Sequence, residues 1–378
     1  MIKKILQKIF KKFSYGLFFK IYGTIEKSID SGSDNRIKVE IVNAEKDLRY
    51  KVYKIVYGRL YTDRVHDTAV ILDNKIIEGP SYQFRYTHDG RSYNSKTSDN
   101  VVFKKGTPRK LENLDGTVLS LLSGGAGNSN YWHWLTDVLP RFALCSKAIS
   151  LSKIDYFLLP SLLKKFQNET LDCLNIPKNK RFSSEKFRHI KAKELIATDH
   201  PVVISGSATD DVQNIPRWII LWLKNNFLNP NITISKKNKK KIYIDRDDTT
   251  LKDLSQRSIT NEDEVKRYLL KNNFVSVKLH EINFKEQVNL FHEAECIVGL
   301  HGAGFANIVF CKPGTKVIEL RSSSAGPIIE NLAKKNDLNY NSIIVEATQI
   351  DKFSYPNQQG SIQIPISSLI KVLEDQST

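Results

Sequence analysis

The amino-acid sequence predicts an α/β protein with parallel sheets, divided into two domains. Length supports the division: 378 residues with 40% hydrophobic content fill two ordinary cores rather than one. The order of the apolar runs supports the class, because beyond residue 241 short strand-like runs alternate with helical stretches of about a dozen residues. A third observation is local. The run 296–300 (CIVGL) stops at His301-Gly302-Ala303-Gly304, resumes as a helix through Phe310, and is broken at Pro313-Gly314.

From the amino end, residues 1–22 read as a basic amphipathic helix. Ile2, Ile5, Leu6, Ile9, Phe10 and Phe13 share one face, and Lys3, Lys4, Lys8, Lys11 and Lys12 take the rest. That pattern suits a helix lying in an anionic membrane surface through residues 1–20, and equally a helix docked on the domain with its lysines in water. No secretory signal is expected, since the segment lacks an uninterrupted apolar centre and a small-residue cleavage site. No apolar run reaches the roughly 18 residues needed to span a bilayer.

Residues 31–228 are expected to form the first domain. Its opening part is strand-rich, with runs at 37–42, 69–72, 75–77 and 101–103 between polar turns. A strand at 118–122 then leads into the glycine turn 124–127, a helix from Tyr131 to Leu144, a strand at 156–159 and a helix from Ser161 to Leu174. Pro216 opens a helix from Arg217 to Phe227, in which Trp218 and Trp222 lie one turn apart as core residues. The polar, lysine-rich stretch 229–240 reads as an interdomain linker and solvated loop.

Residues 241–378 read as a Rossmann-like second domain. Strands are expected at 242–244, 275–279, 297–300, 316–320 and near 343–345. Between them come a helix capped by Thr260, a helix capped by Asn283 with Glu286 completing a capping box, and a helix from Pro327 to Lys335. Ligands bind such sheets at the carboxyl ends of the strands, where Arg246, His301 with its glycines, and Glu319 all fall.

Glycines at 302 and 304 let the main chain approach a ligand, and the helix that follows turns unpaired N–H groups and its positive dipole end outward. An anion is the expected guest. Arg246 and Arg257 can each clamp two phosphate oxygens, and Glu319 can accept from the two hydroxyls of a ribose. The dinucleotide fingerprint GxGxxG is absent, which disfavours a nicotinamide enzyme.

The formal charge of +16 favours an anionic partner. Nucleic acid is not expected, because basic and aromatic residues are not interleaved in a recognised way. Four cysteines without CxxC spacing read as reduced residues of a cytoplasmic protein. Asp245-Arg246-Asp247 contains an Asp-x-Asp pair of the kind that can hold a divalent ion, but arginines and a helix end make a metal unnecessary, so no cofactor is expected.

Four motifs in order carry a resemblance: NYWHWLTDVLPR at 130–141, Arg246 with RSITNE at 257–262, GLHGAGFAN at 299–307, and PGTKVIE at 313–319. Over roughly residues 117 to 347 the chain resembles the family 61 glycosyltransferases, which include bacterial capsular-polysaccharide enzymes. The resemblance implies a GT-B architecture, with two Rossmann-like domains facing each other across a cleft. It also implies an inverting transfer from a nucleotide diphosphate sugar held mainly by the C-terminal domain. The diphosphate-type turn, the arginines and the basic amphipathic start lead in turn to the expectation of a cytoplasmic enzyme at the inner face of the cell membrane that extends a capsular, glycan or lipid-linked glycan acceptor. Carried over by position, His301, Gly302, Ala303, Gly304 and Asn307 would line the diphosphate pocket, and Arg246 and Arg257 would offset its charge. Asn261 and Glu262 would shape the site, and Glu319 would face the nucleoside.

An inverting transfer also needs a base for the acceptor hydroxyl. Asp137 and His133, four residues apart on one helical face, are the candidates, with Asp137 preferred. A non-catalytic nucleotide-sugar or glycan-binding protein on the same fold is the alternative.

Overall fold

A computed structural model describes residues 2–63, 68–81, 85–86, 93–94, 97–122, 130–205, 207–228, 240–246, 257–347 and 360–374. It separates into two compact units, Met1–Asp211 and Val212–Thr378. The expected linker at 229–240 lies, save for Lys240, outside the described residues. The helix Arg217–Phe227 belongs to the second unit, where Phe227 meets Phe284 edge to face at 4.9 Å.

In the first unit, β1 (Lys27–Ile29), β2 (Ile37–Glu45), β3 (Leu48–Val56), β4 (Arg59–Tyr61), β5 (Ala69–Leu72) and β6 (Lys75–Ile77) come from the strand-rich region. After the short pair β7 (Arg85–Tyr86) and β8 (Tyr93–Asn94) follow β9 (Glu112–Ser120), β10 (Tyr156–Leu159), β11 (Arg181–Ser183) and β12 (His189–Thr198). The last four run parallel in the order β12-β9-β10-β11, while β3 and β4 pair antiparallel to β12. The early strands therefore extend the same sheet instead of forming a layer of their own. Their core joins Tyr53, Ile55, Leu60 and Val70 to Val118, Leu158, Ile190 and Leu195.

In the second unit, β13 (Lys240–Asp245), β14 (Phe274–Lys278), β15 (Ala294–Leu300), β16 (Lys316–Ser322) and β17 (Asn339–Val345) form an all-parallel sheet in the order β14-β13-β15-β16-β17. Uninterrupted burial of Ile242-Tyr243-Ile244, Ile297-Val298 and Val317-Ile318 fits a sheet covered on both faces. One face packs on the helices Glu262–Lys271 and Ile366–Glu374 through Val265, Leu269 and Leu369. Chain order reverses across β13, so the switch point, where this topology opens a crevice, lies between the carboxyl ends of β13 and β15.

Most expected elements form, and four depart from expectation. Residues 101–103 make a 3₁₀ turn, because the Asn100 side chain accepts from the Val102 N–H and curls the backbone away from a strand. The segment 131–144 is not one α-helix: Tyr131–His133 is followed by a π-turn over Trp134–Val138 and a helix Pro140–Ser146, with the Leu139 N–H reaching the Trp134 carbonyl. Pro140 lacks an N–H and its ring crowds the preceding turn, which the wider turn accommodates. Residues 303–310 wind as a 3₁₀ helix. Asn261, not Thr260, occupies the cap position of the helix at 262, and its side chain is spent on Ile364 and Glu264. The Asn283 capping box with Glu286 is formed.

None of the four cysteines is in a disulfide, and among the described residues no helix is long and apolar enough to cross a membrane.

Candidate functional site

The second unit gathers cations at the switch point. Arg246 follows the last residue of β13, and its Nη1 donates to the His301 carbonyl at 3.1 Å. A Cβ on Gly302 would stand 2.8 Å from the same Nη1, so glycine is what lets the guanidinium lie against the turn. Burial, reinforced by the positive charge of Arg246, brings the Arg257 guanidinium down to about 10. Two guanidinium groups that disfavour one another's charge make a place where an anion is stabilising.

Beneath them Glu319 has no exposure at all. One of its oxygens accepts from His301 Nδ1 and the other from the Tyr340 hydroxyl. His301 Nδ1 must carry its proton there, which leaves Nε2 as the ring atom for a ligand. Burial pulls the His301 pKa below its ordinary value, against the opposing pull of Glu319. Glu319 was expected to face a nucleoside; with both oxygens engaged and no surface, it instead orients His301.

The other expected residues divide. Gly302, Ala303 and Gly304 are partly exposed at the turn. Asn307 is fully buried and ties the turn down, its amide donating to Gln287 Oε1 at 3.0 Å and to the Gly304 carbonyl at 3.3 Å. Asn261 joins the carboxyl-terminal segment through Ile364, and Glu262 accepts from the Tyr243 hydroxyl at 2.9 Å. All three tie neighbouring segments together, and of them Asn261 and Glu262 remain partly exposed. Of the acidic run, Asp245 meets Ser276 and Lys266, while Asp247 and Asp248 lie outside the described residues.

A second cluster lies in the first unit, on the π-turn. His133 Nδ1 donates to Asp137 Oδ2 at 2.7 Å, and Thr136 Oγ1 donates to Asp137 Oδ1 at 2.8 Å. Arg141, instead of pairing with that carboxylate, donates to the Asp137 carbonyl and to Thr198. Burial alone would raise the Asp137 pKa, but His133 and the hydrogen bonds outweigh it and hold the carboxyl below its ordinary range. Exposure separates the pair: the Asp137 side chain is 4% exposed and that of His133 22%. Sequence preferred Asp137 as the base; the structure buries it beside the imidazole, whose Nδ1 is engaged by the carboxylate and whose ring is the more exposed of the two.

His200, which the sequence did not single out, completes this cluster. Its Nδ1 accepts from the N–H groups of Val202 and Val203, so a neutral ring carries its proton on Nε2, which stands 3.8 Å from Asp137 Oδ2. Burial depresses its pKa to about 3, keeping it neutral.

A family model described as Glycosyltransferase 61 matches residues 131–318, a span that begins at the first helical turn of the His133 cluster and ends one residue short of Glu319. The chain belongs to glycosyltransferase family 61. Over 51 residues, 14% of this chain, it is also 39% identical to the beta-1,2-xylosyltransferase RCN11 of Oryza sativa subsp. japonica, and it spans 10% of that relative's length.

In this family 61 chain, three further residues escaped sequence reasoning. Tyr340 gave no signal, since a tyrosine in a strand is ordinary. Arg321 was readable: two residues past Glu319, it shares that residue's face of β16, and its charge reaches His301. His200 stands 63 positions from Asp137 in sequence, and only β12 brings it there.

Proposed function

We propose that the protein is an inverting glycosyltransferase that moves a sugar from a nucleotide diphosphate sugar to a glycan hydroxyl, as in building a capsular or other surface polysaccharide. Family membership supports the reaction class. The observation that carries the reading is the convergence of Arg246, Arg257 and His301 at the switch point of the parallel sheet, where a diphosphate would meet two guanidinium groups and an imidazole.

In this reading the second unit holds the donor. Arg246 and Arg257 neutralise the phosphates, and the amides after Gly302 add dipoles. His301, its Nδ1 proton fixed by Glu319, presents Nε2 to a diphosphate oxygen; a negative charge there favours the protonated, donating form. The base in this reading is His133. His133 Nε2 takes the proton from the acceptor hydroxyl as its oxygen bonds to the anomeric carbon, and the carbon–oxygen bond to the diphosphate breaks with inversion. Asp137 holds the tautomer and stabilises the imidazolium that forms, and His200 and Thr136 hold Asp137. No residue role requires a divalent ion.

The test is calorimetric titration of the full chain with a panel of nucleoside diphosphates, followed by transfer assays with the sugars of those that bind. Saturable binding of at least one, weakened at least tenfold by Arg246→Ala, is expected. Absence of binding across the panel rejects the reading, and binding by a chain that transfers no sugar to any glycan offered turns it into a binding protein.

A further inference from the structure

We propose that the amino-terminal helix is a rigid strut that seats the protein on an anionic lipid bilayer. The helix Ile2–Tyr22 has two opposed faces. At its carboxyl end Phe18 is fully buried, packed on Tyr61 at 4.9 Å between ring centres and joined to the cluster of Ala69, Ile71, Ile76 and Val102. Tyr22 stands edge-on to His189 at 4.4 Å, and its hydroxyl donates to the Arg109 carbonyl. A Cβ on Gly106 would come within 2.4 Å of the Phe18 ring, so the fit is close. The helix is thereby fastened to β4 and β12, not trailing from the fold.

The other face is bare. Ile5, Leu6, Ile9, Phe10 and Phe13 are 51%, 60%, 60%, 72% and 68% exposed and fall on one side at helical spacing. Isolated exposed apolar residues are ordinary; a contiguous stripe of five over three turns is not. Lys8, Lys11 and Lys12 are exposed beside it, Lys3 and Lys4 precede them, and the first 22 residues hold no acid. Charge selects the occupant. Lysines flanking an apolar stripe match acyl chains bordered by anionic headgroups, each contributing about 1 kcal/mol near such a surface. A second copy of the same helix would set lysine against lysine.

This does not rest on the transferase reading, because its readout needs no donor. The full chain is sedimented with vesicles of phosphatidylcholine containing phosphatidylglycerol, and with phosphatidylcholine alone, at low and high salt. The expected result is at least tenfold stronger partitioning onto the anionic vesicles, reduced by salt. The double variant Phe10→Glu, Phe13→Glu should lose that partitioning at least tenfold with an unchanged thermal midpoint, since neither side chain is in the core. Equal binding to both vesicle types, or undiminished binding by the double variant, overturns the proposal. A vesicle-free dimer that the double variant abolishes overturns it in favour of a second copy.

Discussion

His133 and Asp137 illustrate how burial decides between two groups that sequence spacing treats alike. Removing the imidazole in His133→Gly should lower turnover by about 10² to 10⁴ with donor affinity unchanged, and added imidazole should restore part of the rate. Asp137→Asn should also lower turnover at constant affinity, but without rescue by imidazole. Rescue of the aspartate variant instead would make the carboxylate the base. A second expectation concerns two buried neutral histidines. His189 and His200 sit at about 4 and 3 because burial disfavours their charged forms, against an ordinary value of 6.5. Below about 6.5 the unfolded chain binds protons that the folded chain refuses, so stability rises with pH from about 4 to 6.5 and is flat above, as far as these groups are concerned. Each contributes at most about 1.4 kcal/mol per pH unit. Urea midpoints at pH 7 and pH 5 should show the fall, and His189→Gln should reduce its slope.

At the scale of elements, legibility followed the strength of local signals. Arg217–Phe227 begins and ends as its proline and apolar spacing require, and the Asn283 capping box forms because both partners are local. The π-turn was not legible, since its cause is a proline acting within a helix-favouring stretch whose outcome depends on Arg141 reaching Thr198, far away in the sequence. Its product is a bent segment that carries His133 and Asp137. The 3₁₀ winding of 303–310 was equally hidden, because six of its consecutive residues are buried and packing fixes its pitch. Two substitutions test these elements. Gly302→Ala should push Arg246 from the turn, raising KM for the donor at least tenfold with little change in thermal midpoint. Gly106→Ala should unseat Phe18 and expose the strut to protease, costing up to the ~3–5 kcal/mol associated with losing a buried phenylalanine.

For the molecule as a whole, the class and the alternation of the second unit were plain in the sequence, because helix and strand periods are written locally. The composition of the first unit's sheet was not: pairing β3 and β4 against β12 joins residues more than a hundred positions apart. Separate cores predict separate responses. Calorimetry of the full chain should show two transitions, and a nucleoside diphosphate at 100 times its Kd should raise only that of the second unit, by about 3 kcal/mol of added stability. A single transition moving as one would argue that the units are energetically inseparable.

The notch between β13 and β15 is made by two chain connections departing in opposite directions, so it belongs to the weave of the sheet and not to any one loop. The stations of Arg246 and His301 are set there by the ends of those two strands, which side-chain exchange elsewhere leaves standing. If the guest is the nucleotide diphosphate sugar proposed above, substitutions in neighbouring segments should alter which sugar is accepted while leaving the grip on its phosphates intact.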